Sequence, residues 1–132
     1  MSEEKITIVK GEVGLELPHE AGNWVLKKDL GYSPVEMLVS ATAACGGYVY
    51  QTILTNSRID HTFHRVEVNY TRDATRQAKP LASVTIHYYV TVAEAKRERA
   101  LRASKLIHGN CPVIQSLGAD VNVEDVVHFV AE

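Results

Sequence analysis

The chain is short of several things. Its first arginine is Arg58, cysteine occurs twice in 132 residues, and tryptophan once. No hydrophobic run approaches the roughly 20 residues needed to cross a bilayer. The opening MSEEKITIVK has neither the basic start nor the apolar core of a signal peptide, so the expected location is the cytoplasm. There is no CxxC, no glycine-rich phosphate loop and no internal repeat. Fourteen basic residues against sixteen acidic ones leave a formal charge of −2, which argues against a nucleic-acid or anionic membrane partner. Lys96, Arg97, Arg99, Arg102 and Lys105 alternate with Glu94 and Glu98 and read as a solvated helix face. In a reducing compartment both cysteines are expected as free thiols, and any disulfide between them as transient.

What is present describes one α+β domain over 1–132. Hydrophobic residues make up 45% and charged residues 23%, enough for a single soluble core. Alternation over 5–9 and 13–17, with Gly11 between, predicts a short strand pair, and Trp24 to Leu26 a third strand. Ser33, Pro34 and Glu36 have the spacing of a helix N-cap, a first-turn proline and the acid of a capping box. The helix they open is expected to run from Pro34 to about Thr55. Its middle, Ser40 to Gly47, is almost all Ala, Ser, Thr, Gly and Cys, which suits close backbone approach; a kink at Gly46 is the other reading.

Val66, Val68 and Tyr70, then Ala82 to Val92, alternate wet and dry and predict antiparallel strands covered on one side. Residues 93–108 read as one amphipathic helix stopped by Gly109, followed by a short helix up to Gly118 and a last strand from Val121 to Val130. The long, small-surfaced helix wants cover on several faces, so a homodimer is expected around it.

The two cysteines have different local settings. With Pro112 at the first helical position, Cys111 falls at or beside the N-cap, where the helix end would lower a thiol's pKa. Cys45 lies inside a helix and would need a partner brought by the fold. Taken singly, either thiol also reads as a small packed hydrophobe. His108 and Cys111 have a ligand-like spacing, but His61, His64, His87 and His128 are scattered, so no metal is expected, and His108 reads as a helix end residue bonding carbonyls.

SPVEMLVSATAAC followed by HGNCPV resembles the OsmC/Ohr family (osmotically inducible protein C-like, organic hydroperoxide resistance) of thiol-dependent peroxidases. In that family an alanine-rich helix of the form (S/N)P-x-E-x-L ends in a first cysteine, and a second opens a CPV- or CPY-type helix. The separation of 66 positions is similar to the family's, and the order of elements agrees along the whole chain. The resemblance implies an intertwined homodimer with long helices at its centre and an active site at each side of the interface. It implies Cys45 as the thiolate that attacks an organic hydroperoxide, Cys111 as the resolving thiol, a dithiol reductant, no cofactor, and Glu36 as the active-site acid.

Two features depart from the family pattern. The family's arginine comes from the N-terminal strand region, where this chain offers only His19, Lys27 or Lys28, and lysine lacks the planar guanidinium fork. The family's acid directly follows the proline; here Val35 does, and Glu36 comes next, about 13.5 Å along a straight helix from Cys45. The alternative reading is a non-catalytic OsmC-like domain that binds a small apolar or electrophilic ligand, with Trp24, Tyr32, Tyr48 and Tyr50 lining its pocket.

Overall fold

Ser33, Pro34 and Glu36 do start the long helix. In the computed structural model, which describes residues 2–132, the Ser33 backbone N–H donates to Glu36 Oε1 at 2.8 Å and the Glu36 N–H donates to Ser33 Oγ at 3.1 Å. This reciprocal pair opens α1, Pro34–Asn56. The helix ends as cleanly. Arg58 takes a left-handed φ of 58°, the Ile59 N–H reaches back to the Leu54 carbonyl, and the Arg58 N–H reaches that of Thr55. The first arginine of the chain is thus a helix-terminating residue. By its internal contacts the chain divides into two compact units, one running through Leu38 and one spanning Val39–Glu132.

The first unit carries a three-stranded antiparallel sheet, β1 (Val9–Lys10), β2 (Leu15–Leu17) and β3 (Trp24–Val25). Its strands are shorter than the alternation predicts, because the register pairs only Val9 with Glu16, Lys10 with Leu15, Glu16 with Val25 and Leu17 with Trp24. Many of its apolar side chains face outward; Ile6 is 77% and Leu15 54% exposed.

In the second unit α1 does not kink at its glycines. Thr42, Ala43, Gly46, Gly47, Tyr50 and Leu54 form one buried face at helical spacing. A Cβ on Gly46 would land on the hydroxyl of Tyr88, and one on Gly47 would stand 3.1 Å from Val66 Cγ2. The close approach anticipated for this small-residue stretch is therefore with the sheet of β4 (His61–Arg72), β5 (Leu81–Val92) and β6 (Asn122–Phe129). Strands β4 and β5 pair antiparallel from His61↔Val92 to Arg72↔Leu81, as expected. Strand β6 instead lies parallel to β5, from Ser83↔Asn122 to Val90↔Phe129. The helical segments between them return the chain to the end where β5 began, as a parallel pairing requires.

That crossover corrects another expectation. Residues 93–108 do not make one helix: a 3₁₀ turn at Glu94–Lys96 leads into α2 (Arg97–Ser104), then α3 (Ile107–Asn110) and α4 (Pro112–Ser116). Ser104 Oγ donates to the Leu101 carbonyl, and the N–H groups of Lys105 and Leu106 turn to carbonyls three residues back. The break falls there, and Gly109 lies within α3 rather than ending it. Val84, Ile86, Tyr88, Val90, Ala100, Ile107 and Cys111 form the core with α1. Among the described residues no helix is long and apolar enough to cross a membrane.

Candidate active site

Cys45 sits on α1 one residue before Gly46, and Cys111 is the N-cap of α4, accepting the Ile114 N–H at 3.5 Å. The fold brings their sulfurs to 2.8 Å, with the Cys111 thiol donating to Cys45 Sγ. That is only about 0.8 Å beyond a disulfide bond length. Both cysteines are free; Cys45 is partly exposed and Cys111 fully buried. The expected lowering of the Cys111 pKa does not hold. Burial pushes the thiol up and contact with Cys45 adds to this, outweighing the opposing pull of the Ile114 and Val113 N–H groups. Cys111 is therefore held as a thiol, a hydrogen-bond donor to Cys45.

Beside the sulfurs runs a line of polar groups buried in the core face of the sheet. The Tyr88 hydroxyl, pressed over Gly46, donates to Asp125 Oδ1 at 2.6 Å. Asp125 Oδ2 lies 2.8 Å from His108 Nε2, a close contact whose angle is not that of a hydrogen bond. Burial pushes the Asp125 carboxyl above the usual range, against the opposing pull of Tyr88, His108 and Lys105. Burial, then the Asp125 contact, pushes the Tyr88 phenol well above its usual range, and the nearby Cys111 and Cys45 push it further. A polar cleft of about 340 Å³, lined by Ser104, Lys105, His108, Glu124 and Asp125, meets the outer end of this line.

The sequence carries a signal for the Tyr88–Asp125 pair. Each interrupts an apolar stripe with a polar group: Val84, Ile86, Tyr88 and Val90 on β5, and Val123, Asp125, Val127 and Phe129 on β6. A carboxylate on the dry face of a strand needs a partner. His108 is not the carbonyl-bonding helix end expected; Asn110 Nδ2 and Gln115 Nε2 take that work, bonding the Leu106 and His108 carbonyls.

Glu36 has a structural occupation in the cap described above. The Ser33 backbone N–H, helped by its hydroxyl and by Lys28, holds the carboxyl below the usual range. Lys27 bonds the Val13 carbonyl at 3.2 Å, and His19 accepts the Ala21 N–H and packs near Trp24. Of the four aromatics, Tyr50 is core rather than pocket. Its hydroxyl donates to the Ala100 carbonyl at 2.8 Å and its ring packs on Tyr88. Trp24, Tyr32 and Tyr48 are exposed.

The family model for OsmC-like protein matches residues 27–124. Among solved structures the chain is similar to a hypothetical protein from Aquifex aeolicus (18% identity, TM-score 0.81, covering 100% of this chain and 99% of that one). It is similar to an OsmC-like protein from Mycoplasma pneumoniae (17%, TM-score 0.74, 98% and 99%). It is also similar to the organic hydroperoxide resistance protein OhrB of Bacillus subtilis (18%, TM-score 0.62, 94% and 96%). At these identities the likeness is one of fold. No curated protein matches the chain.

Proposed function

Because the chain belongs to the OsmC-like family, we propose that it is a single OsmC-like domain acting as a thiol-dependent peroxidase on organic hydroperoxides. The observation that carries this reading is the contact of two free sulfurs contributed by positions 66 apart. An inert core has no need to place its two thiols together. Cys45, partly exposed, is the nucleophile: its thiolate attacks the distal peroxide oxygen, forming a sulfenic acid as the O–O bond breaks and an alcohol departs. Cys111 donates to Cys45 Sγ and favours negative charge there. It then attacks the sulfenic sulfur, forming the Cys45–Cys111 disulfide and releasing water. A dithiol donor restores both thiols by exchange.

Activation of Cys45 here does not follow the arginine pattern, since the residues through Ser57 contain none. The donor thiol of Cys111 supplies part of that stabilisation, and Glu36 serves the helix start. The reading includes a homodimer. In the second unit Tyr48 on α1 is 73% exposed, and in the first unit Ile6, Trp24, Leu30 and Tyr32 point outward; each unit thus carries apolar surface of the kind a second copy would cover.

The test is direct. Reduced protein treated with stoichiometric cumene hydroperoxide, and mapped by mass spectrometry, is expected to form the Cys45–Cys111 disulfide. Cys111→Ser is expected to hold a dimedone-reactive sulfenic acid at Cys45, and Cys45→Ser to leave Cys111 unmodified. Free thiols after prolonged exposure of the parent would overturn the reading.

A further inference from the structure

We propose that Tyr88, Asp125 and His108 form a proton line between the thiol pair and the polar cleft, storing the Cys45 proton and returning it to the departing alkoxide. The inference rests on the peroxidase reading above. The Tyr88 hydroxyl lies over Gly46, the neighbour of Cys45, and donates to Asp125 Oδ1 at 2.6 Å. The other oxygen of the same carboxylate lies 2.8 Å from His108 Nε2. That nitrogen is buried and lacks an aligned hydrogen-bond partner, while the His108 side chain is 42% exposed. One end of the line thus lies over the residue next to Cys45, and the other is a side chain partly open to solvent.

Replacing a buried Tyr–Asp pair by apolar residues would fill the same core without the penalty of a buried carboxylate. Cys111 is fully buried and Cys45 partly exposed. The titratable groups facing the line are Cys45 and Cys111 at its inner end and Lys105 and Glu124 in the cleft.

The transfer balances. As Cys45 ionises, its proton passes to the Tyr88 oxygen, the phenol proton passes to Asp125 Oδ1, and the proton that a neutral Asp125 carries on Oδ2 passes to His108 Nε2. Sulfur keeps the electron pair. That pair forms the S–O bond while the O–O bond breaks, so sulfur is oxidised and the peroxide reduced. The alkoxide draws the stored proton back along the line and leaves as the alcohol. Proton delivery of this kind contributes about 10²–10⁴ in rate.

Alkylation separates a proton line from mere packing, because iodoacetamide needs the thiolate but its iodide leaving group needs no proton. Stopped-flow oxidation of Cys45 by cumene hydroperoxide and alkylation of Cys45 by iodoacetamide are each followed from pH 5 to 9. The proteins are the full chain, Tyr88→Phe, Asp125→Asn and His108→Gln, with folding checked by circular dichroism. The line predicts that Tyr88→Phe and Asp125→Asn slow peroxide oxidation at least tenfold at pH 7 and change alkylation less than threefold. It also predicts that His108→Gln, at a partly exposed position, slows peroxide oxidation at pH 7 while changing alkylation less than threefold. A parent that reacts with peroxide while the variants match it overturns the line alone. Equal slowing of both reactions assigns Tyr88 and Asp125 to packing and also overturns it. A parent inert to the peroxide overturns the peroxidase reading and the line with it.

Discussion

Two helices in this chain begin on a side chain that caps them, and the two starts lead to opposite acidities. At the start of α1 the cap is Ser33, its partner Glu36 is partly open to water, and the carboxyl is held below its usual range by the Ser33 N–H. At the start of α4 the cap is Cys111, no part of it is exposed, and its thiol is pushed up. Both caps accept a backbone N–H three residues on. The helix end favours negative charge in both places, by about 0.3–1 kcal/mol when exposed. Burial of a charge is opposed by several kcal/mol. Desolvation wins at α4 and has little to act on at α1, so a helix N-cap alone does not make a thiol acidic.

The strongest way to break the contrast is to place the better capping group at the buried start. Aspartate is among the preferred N-cap residues, yet Cys111→Asp is expected to destabilise the fold by about 4 kcal/mol. That is the cost of holding a carboxyl some three pKa units from its usual value in a dry site. Urea denaturation at pH 7 measures it, and a loss under about 1 kcal/mol would show the site to be wet. A smaller effect is expected from Gly46→Ala. The new methyl meets the Tyr88 hydroxyl, which must move off Asp125. Overpacking and a strained charged hydrogen bond together outweigh the helix propensity gained, leaving a net loss of about 2 kcal/mol in the same assay.

Both starts were legible because a cap is a local device. Ser33-Pro34 with Glu36, and Cys111-Pro112, each lie within four residues, and the structure has both caps where the spacing predicts them. The alternating β4 and β5 were legible for the same reason, since a period of two states which face is dry. What could not be read depended on distant pairing. The parallel placement of β6 follows from where the crossover returns the chain. The division of 93–108 into three helical pieces follows from Ser104 and the turn at Lys105 and Leu106, where amphipathic spacing continues but the hydrogen bonds do not. The sign of the Cys111 shift needed its burial, and the link from Tyr88 through Asp125 to His108 joins three separate elements. Cys45 and Cys111 could be named from the sequence through a family resemblance; their contact had to be seen.

The last and smallest effect sharpens the same comparison through pH. Glu36 has a lowered pKa in the fold, so it adds stability above the ordinary glutamate range, and this is lost as pH falls through its folded value. Cys111 has a raised pKa, so its contribution is complete below the ordinary thiol range and is lost as pH rises through its folded value. The two caps should therefore fail at opposite ends of the scale. Ser33→Ala is expected to cost about 1 kcal/mol at neutral pH and, by removing the hydroxyl that helps lower Glu36, to make the acid limb of stability shallower. Cys111→Ser, which keeps an N-cap oxygen and removes the titrating sulfur, is expected to leave the acid limb unchanged and flatten the alkaline one. Stability measured by denaturation at intervals from pH 3 to 10, as the difference between each variant and the parent, isolates each cap because Asp125 is retained in all three proteins. An alkaline limb that persists in Cys111→Ser would mean that burial of this thiol is not what limits the fold at high pH, and would leave helix position rather than desolvation as the dominant influence on it.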